Sequence, residues 1–192
     1  MKEIWTQIDD WLIANAPQIF EDLQSGASEK EISELEESLS IKLPEDVKDS
    51  YRIHNGQSDG SYGLLDGREF LSIERIKQEW TVWKDLLDSG TFQDQDGHDI
   101  GSEPELGIRN VWWSAKWIPL TYDGSGNHDC LDLEPSEAGN VGQIITMWHD
   151  DSNRKLVASS FREWLQEYAE GLKEGRFVLS EEYGGIVNAD DV

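Results

Sequence analysis

Asp123, Ser125, Asn127, Asp129 and Glu134 stand at positions one, three, five, seven and twelve of a run starting at Asp123. That is the oxygen-ligand spacing of a helix-flanked calcium loop. A cation held there would make Asp123, Asp129 and Glu134 the core of a metal-dependent hydrolase. The context argues against it. Position six is His128, where the sharp turn of such a loop requires glycine, and the run lies between Pro119 and Pro135 in strand-like sequence. Gly124 and Gly126 instead supply the positive φ angles of a polar hairpin turn, in which Asp123 and Asn127 bond backbone amides.

Other reactive groupings are weaker. His128, Asp129 and Cys130 contain the parts of a thiol nucleophile, but consecutive strand residues leave by opposite faces, so Cys130 is expected as a small core residue. His54, His98, His128 and His149 form no i, i+4 pair, and one cysteine cannot complete a zinc set. His149-Asp150-Asp151 could hold a cation, yet Asp-Asp-Ser-Asn is also ordinary turn composition. Gly124-Ser125-Gly126 is not followed by Lys-Ser or Lys-Thr and opens no helix, so it is not a phosphate loop. The chain therefore reads as a non-enzyme with no catalytic residue, metal or cofactor.

The elements that would position these groups follow from periodicity. Ile4, Ile8, Trp11 and Leu12 predict an amphipathic helix over about residues 2–15. Ser28 to Glu31 spells a capping box ahead of Ile32, Leu35 and Leu39. Leu43-Pro44 opens a short third helix with Asn55-Gly56 as its left-handed stop. Asp66-Gly67 marks a two-residue hairpin turn, and Ile73, Ile76, Trp80, Trp83 and Leu87 trace another helix. After a polar stretch at 91–109, five strands are expected: Val111 to Trp113, Lys116 to Tyr122, Asp129 to Glu134, Val141 to His149 and Arg154 to Ala158. Ser160 to Glu163 caps a last helix carrying Phe161, Trp164, Leu165, Tyr168 and Leu172. The fold class is α+β, a single domain over residues 1–179 with an antiparallel sheet of about six strands flanked by helices. Residues 180–192 read as a frayed acidic tail. Trp5, Trp11, Trp80, Trp83 and Trp164 fall on helix stripes. Trp112 and Trp113, adjacent on an expected strand, must face opposite ways, so one needs a second burial site in a helix, the long loop or a partner.

Charge narrows the function classes further. Forty acidic against 16 basic residues leave a net charge of -24. The excess comes in blocks: neither Asp85 to Glu105 nor Asp123 to Ser152 contains a Lys or Arg. Such a field repels nucleic acid and anionic lipid and accelerates encounter with a basic protein. The amino-terminal residues lack a signal-peptide core, no apolar run is long enough to span a bilayer, and a single cysteine fits a reducing compartment, so a cytoplasmic address is expected.

In order and spacing these pieces resemble the SUKH superfamily, in the branch named after a fungal cell-wall assembly regulator. Gly26-Ala27-Ser28 into Glu31-Ile32 and Glu34-Leu35-Glu36, then Leu39, Leu43-Pro44 and Tyr51 to Asn55-Gly56, are similar to its N-terminal block. Trp117-Ile118-Pro119, Asp123-Gly124, Gly126-Asn127, Leu131-Asp132-Leu133 and Pro135 resemble its central block. Gly142, Ile144 to Asp150, Ser159-Ser160-Phe161 and Trp164-Leu165 resemble its C-terminal block, and the acidic segment at 91–109 reads as an insertion. The resemblance implies a protein-binding domain without catalytic residues, in bacteria mostly an immunity protein that neutralises a polymorphic toxin, often a nuclease. It makes Trp117, Asp123, Gly126, Asn127 and Asp132 fold-fixing positions. The expected partner is then a basic toxin domain, met by Asp94, Asp96, Asp99, Glu103, Glu105, Asp150 and Asp151 with Trp112 or Trp113 as anchor. A regulatory or scaffolding module in the manner of the fungal relatives is the alternative. Oligomeric state is not legible.

Overall fold

The computed structural model describes residues 1–192. Six α-helices and twelve short strands follow in the order α1 (Lys2–Asn15), α2 (Pro17–Asp22), β1 (Leu23–Ser25), α3 (Glu29–Leu39), α4 (Glu45–Tyr51), β2 (His54–Gln57), β3 (Glu69–Phe70), α5 (Ile73–Asp88), β4 (Glu103–Pro104), β5 (Trp117–Pro119), β6 (Thr121–Tyr122), β7 (His128–Asp132), β8 (Gln143–Met147), β9 (Asn153–Arg154), β10 (Leu156–Ala158), α6 (Phe161–Glu174), β11 (Phe177–Ser180) and β12 (Gly185–Asn188). Four strands pair antiparallel in the order β10-β8-β7-β5. Past Leu120, whose amide donates to Asp129 O, the sheet continues through β6 to β3. This is the α+β antiparallel architecture expected from the sequence.

Two faces of the sheet are buried by different means. Ile118, Leu131 and Ile144 point into the main core beneath α1, α3, α4 and α6. The capping box expected at α3 forms between Ser28 and Glu31. At α6 Ser160 Oγ accepts the Glu163 amide, but the Glu163 carboxylate accepts from Ser159 and not from the Ser160 amide, so the reciprocal box is shifted by one residue. The opposite face presents Trp117, Cys130, Ile145 and Met147, covered by Trp83 of α5 and by Phe92, Ile108 and Trp113 from the segment between α5 and β5. Trp113 stacks on Trp83 with centroids 6.3 Å apart and meets Trp80 edge-on at 6.2 Å. Trp83 of α5 and the segment between α5 and β5 are thus the second cover of the sheet.

Four expectations need correction. Val111 to Trp113 is not a strand: Arg154 takes the Trp112 carbonyl and Trp113 turns down into the aromatic cluster, leaving that backbone no ladder partner. Asn55-Gly56 does not stop a helix. α4 ends at Tyr51, and Gly56 (φ +71°) lies in β2, where a Cβ would come within 2.3 Å of the Ser72 amide. The acidic segment at 91–109 contributes β4, which pairs parallel with β9, to a fold expected to be antiparallel throughout. The tail does not fray: β11 and β12 form a hairpin, Ile186 is fully buried, and Gly63 bridges to Gly185. Acidic residues sit at its turn and end while Ile186 packs into the core, and the local charge density hid it.

Buried polar groups fix the connections. Gln57 is fully buried; its Oε1 accepts the amides of Leu64 (3.1 Å) and Phe70 (2.9 Å), and its Nε2 donates to Tyr62 O (2.8 Å). One side chain therefore replaces a strand ladder for the loop between β2 and β3. His128 on β7 donates from Nδ1 to Thr121 O (2.7 Å) and accepts at Nε2 from the Trp83 indole (3.1 Å). A carbonyl can only accept and an indole N–H can only donate, so the ring is the neutral Nδ1–H tautomer. Burial lowers its pKa to about 4.

Replacing Gln57 by Leu strands two amides and a carbonyl, and chemical denaturation should show a loss of about 2–5 kcal/mol. For His128, the unfolded ring protonates below about pH 6.5 and the folded one does not. Its contribution is complete above that pH and is lost as pH falls to 4, about 3 kcal/mol in all. Stability of His128→Gln relative to the parent, measured across this window, should lose that slope, since the carboxylate contributions cancel in the difference.

Candidate functional site

Sequence-predicted interface residues separate into two groups. Asp94, Asp96 and Asp99 lie in the exposed loop after α5. Asp94 Oδ1 accepts the amides of Asp96 and His98, both at 2.9 Å, and these bonds, His98 first, hold its carboxyl below the usual range. Gln93 bridges to Asp99 and closes the loop. Asp94, Asp96 and His98 each place a ligand-type atom within 4.8 Å of the others, but all are exposed and Asp94 is already spent on amides.

Glu103, Glu105, Asp150 and Asp151 belong together. Parallel pairing of β4 with β9, through Glu103 N to Ser152 O (2.8 Å) and Glu105 N to Arg154 O (2.8 Å), sets the end of the acidic insertion beside the Asp150-Asp151 turn. Distant blocks of negative charge become one rim. Within it, Glu105 Oε2 accepts the Leu156 amide and Asp151 Oδ1 accepts the Asn153 amide, the main cause of Asp151's lowered pKa. Glu103 and Asp150 are exposed and make no hydrogen bond of that kind.

Arg154 is the rivet under this rim, and no sequence signal pointed to it. It is fully buried, with Nη1 donating to the carbonyls of Asp151 and Asn153, Nη2 donating to Trp112 O (2.9 Å), and the guanidinium 5.3 Å over the Trp112 ring. No carboxylate pairs with it directly, and burial lowers its pKa. Its -Asn-Arg-Lys- setting resembles any surface turn. Trp112 is half-buried against Arg154, whereas Trp113 is 3% exposed in the aromatic cluster and cannot anchor a partner. Exposed apolar side chains on this half of the molecule include Ile100, Leu106, Trp148 and Leu156.

The fold-fixing positions are occupied structurally. Asp123 Oδ1 accepts the amides of Ser125 (2.7 Å) and Asn127 (3.0 Å) and Oδ2 accepts Asn127 Nδ2 (2.6 Å), while Asn127 Oδ1 accepts the His149 amide (3.0 Å). Burial would raise the Asp123 carboxyl, but those amides outweigh it and hold it low. Gly126 has φ +102°, and a Cβ there would touch the His149 ring. Trp117 is fully buried opposite Asp132, whose Oδ2 accepts Gln143 Nε2 (2.9 Å); burial raises the Asp132 pKa. Gln143 Nε2 also donates to Gly107 O, tying the insertion to the sheet. Asp129 and Glu134 do not converge with Asp123: Asp129 is buried beside Arg68, and Glu134 pairs with Arg109. The turn holds itself together with the oxygens a cation would need. No helix is long and apolar enough to cross a membrane.

Comparison with known proteins follows the same geometry. The profile of the SMI1/KNR4 family (SUKH-1) matches residues 26–167, which run from the turn before α3 into α6. A cell wall biosynthesis/cell cycle regulator, smi1, of Schizosaccharomyces pombe is 31% identical over 95% of this chain and 38% of its own length. A glucan synthesis regulatory protein of Neurospora crassa is 31% identical over 93% of this chain and 39% of its own. The cell wall assembly regulator SMI1 of Saccharomyces cerevisiae is 25% identical over 97% and 43% respectively. The chain spans about two fifths of the length of these relatives. With the capped helices, the Asp123-Asn127 turn and the doubly covered sheet all lying in the matched region, the chain belongs to the SMI1/KNR4 family of the SUKH superfamily.

Proposed function

We propose that this chain is a non-catalytic protein-binding module that regulates cell-wall polymer synthesis. The observation that carries this reading is the similarity, over nearly its whole length, to proteins named as regulators of cell-wall biosynthesis and glucan synthesis. The geometry supports binding in place of chemistry, because the polar residues with the most suggestive spacing are consumed by turn amides, buried pairs and backbone carbonyls. In this reading a regulatory partner with a basic surface meets the rim of Glu103 and Asp150 and the loop of Asp96 and Asp99. The field speeds encounter, and half-buried Trp112 with neighbouring apolar side chains supplies the lasting contact. The partner-binding set is accordingly Asp94, Asp96, Asp99, Glu103, Glu105, Asp150 and Asp151 with Trp112. Toxin neutralisation rests on what the superfamily resemblance implies for bacterial members and on the acidic surface, a feature that would serve either partner.

Gene deletion separates the two. A regulator's loss should change wall glucan content and sensitivity to wall-degrading enzymes while cells stay viable. Death on deletion, rescued by also removing a neighbouring toxin gene, would instead establish neutralisation. For the partner recovered by affinity capture from the native host, Asp96→Asn, Glu103→Gln and Asp150→Asn together should slow association about tenfold at low ionic strength and flatten its salt dependence, leaving dissociation unchanged in stopped-flow measurements. An association rate indifferent to salt in the parent would refute steering.

A further inference from the structure

A second feature lies on the main-core side of the sheet. Between α6, the strands β7, β8 and β10, and the turn at Asp66 there is a cleft of about 280 Å³. Its floor is Asp129, 5% exposed, opposite Thr146 in the β7·β8 register. Trp164, Glu167 and Tyr168 form one wall because the i, i+3, i+4 spacing puts them on one face of α6. Val157 of the edge strand β10 stands at the cleft, 38% exposed.

The polar accounts in this cleft do not close. Arg68 is the only cation on Asp129, and its Nη1 lies 3.4 Å from Asp129 Oδ2 and 3.5 Å from Asp66 Oδ2, shared between two carboxylates at long range. Asp129 Oδ1 accepts no hydrogen bond although the residue is nearly buried. The other guanidinium, Arg176, is engaged by Glu174 at 2.9 Å and by Glu167 O. Asp66, Asp129 and Glu167 thus face two arginines, Arg68 shared between the first two carboxylates and Arg176 held by Glu174, within a chain of net charge -24. A nearly buried carboxylate whose one protein donor is long and shared gains from a further donor reaching it through the cleft.

We propose that this cleft is a receptor for one basic side chain, lysine or arginine, presented by an extended segment of the partner protein. The volume is slightly below the roughly 300–1,000 Å³ of small-molecule pockets and suits a single side chain. A methylene stem would lie against Trp164 and Val157 while the charged head meets Asp129 Oδ1 and the Glu167 carboxylate. An anion would meet the field of the whole chain, and a neutral apolar group would leave Asp129 unpaired. The inference rests on the protein-binding reading and adds a specific anchor to it, remote in role from the steering rim: charge at the rim sets how fast the partner arrives, and the cleft sets which residue it must carry.

The test is an amide and indole NMR titration of the full chain with N-acetyl-arginine-N-methylamide, its neutral citrulline isostere, and inorganic phosphate. Saturable shifts confined to Thr146, Val157, the Trp164 indole and Tyr168, seen with the arginine probe alone, are expected. Asp129→Asn should weaken that binding about tenfold, and Val157→Arg, at an exposed position that tolerates a long side chain, should abolish it by filling the cleft from within. Equal response to citrulline, shifts with phosphate at these residues, or no response to arginine would overturn the proposal. If the host partner binds Asp129→Asn and Val157→Arg as tightly as the parent, the cleft is dismissed and the regulatory reading stands. If the arginine probe binds as expected but deletion leaves wall synthesis unchanged, the cleft stands and the regulatory reading falls.

Discussion

A four-stranded antiparallel sheet with apolar residues on both faces must be covered twice, and the rest of this structure depends on how the second cover is made. Helices bury one face in the usual way. The other is closed by Trp83 of α5 and by the segment between α5 and β5, whose acidic stretch at 91–109 reads as a surface loop, yet Phe92 and Ile108, with Trp113 just beyond, reach Trp117, Cys130, Ile145 and Met147. Holding it down requires polar bonds as well as burial. Arg154 clamps the Trp112 carbonyl, Gln143 reaches Gly107 O, and β4 pairs with β9. A buried guanidinium without a carboxylate partner is an expensive rivet, tolerated because three carbonyls and an indole face replace its water.

The negative surface follows from composition, 40 acidic against 16 basic residues. The chain has 16 basic residues, and the structure spends several of them internally. Arg52 gathers Glu29, Glu45 and Asp49; Arg75 gathers Glu69 and Glu79; Arg154 is buried and Arg68 is shared in the cleft. Each Arg–carboxylate pairing neutralises at least one carboxylate along with the arginine, so the acidic excess of the exterior is set by composition. Steering needs only the net excess and its concentration on one rim, which β4·β9 pairing provides.

Helices α1, α3, α5 and α6 were legible because their apolar residues recur at helical spacing, whereas the six-residue α2 was not, and the expected stop of α4 lay too late. Strands β5, β7 and β8 were legible as alternating runs. What escaped was everything defined by a distant partner. β4 and β9 are two residues each and exist only because they meet, and the β11·β12 hairpin hides Ile186 between acids. Trp113 was readable as needing burial but not as to where, since adjacency on an expected strand said nothing about a loop folding over it. In the candidate site, Asp123, Asn127 and Gly126 were legible from turn chemistry. Arg154 was not, because a cation caged by main-chain carbonyls leaves no trace in side-chain composition.

A doubly covered sheet has a mechanical consequence for binding. Edge strand β10, the rim at β4·β9 and helix α6 all attach to the same four strands, so none can shift without disturbing a packed face. Partner recognition on such a mount gains from preorganisation: little side-chain or loop freedom remains to be lost on association. The shared mount also couples the two charge features in geometry while leaving them separate in role, the rim lying with the insertion and Asp129 on the opposite face of β7 from Cys130. A partner engaging both must wrap the β10 edge, and an extended segment can do so where a compact domain surface cannot.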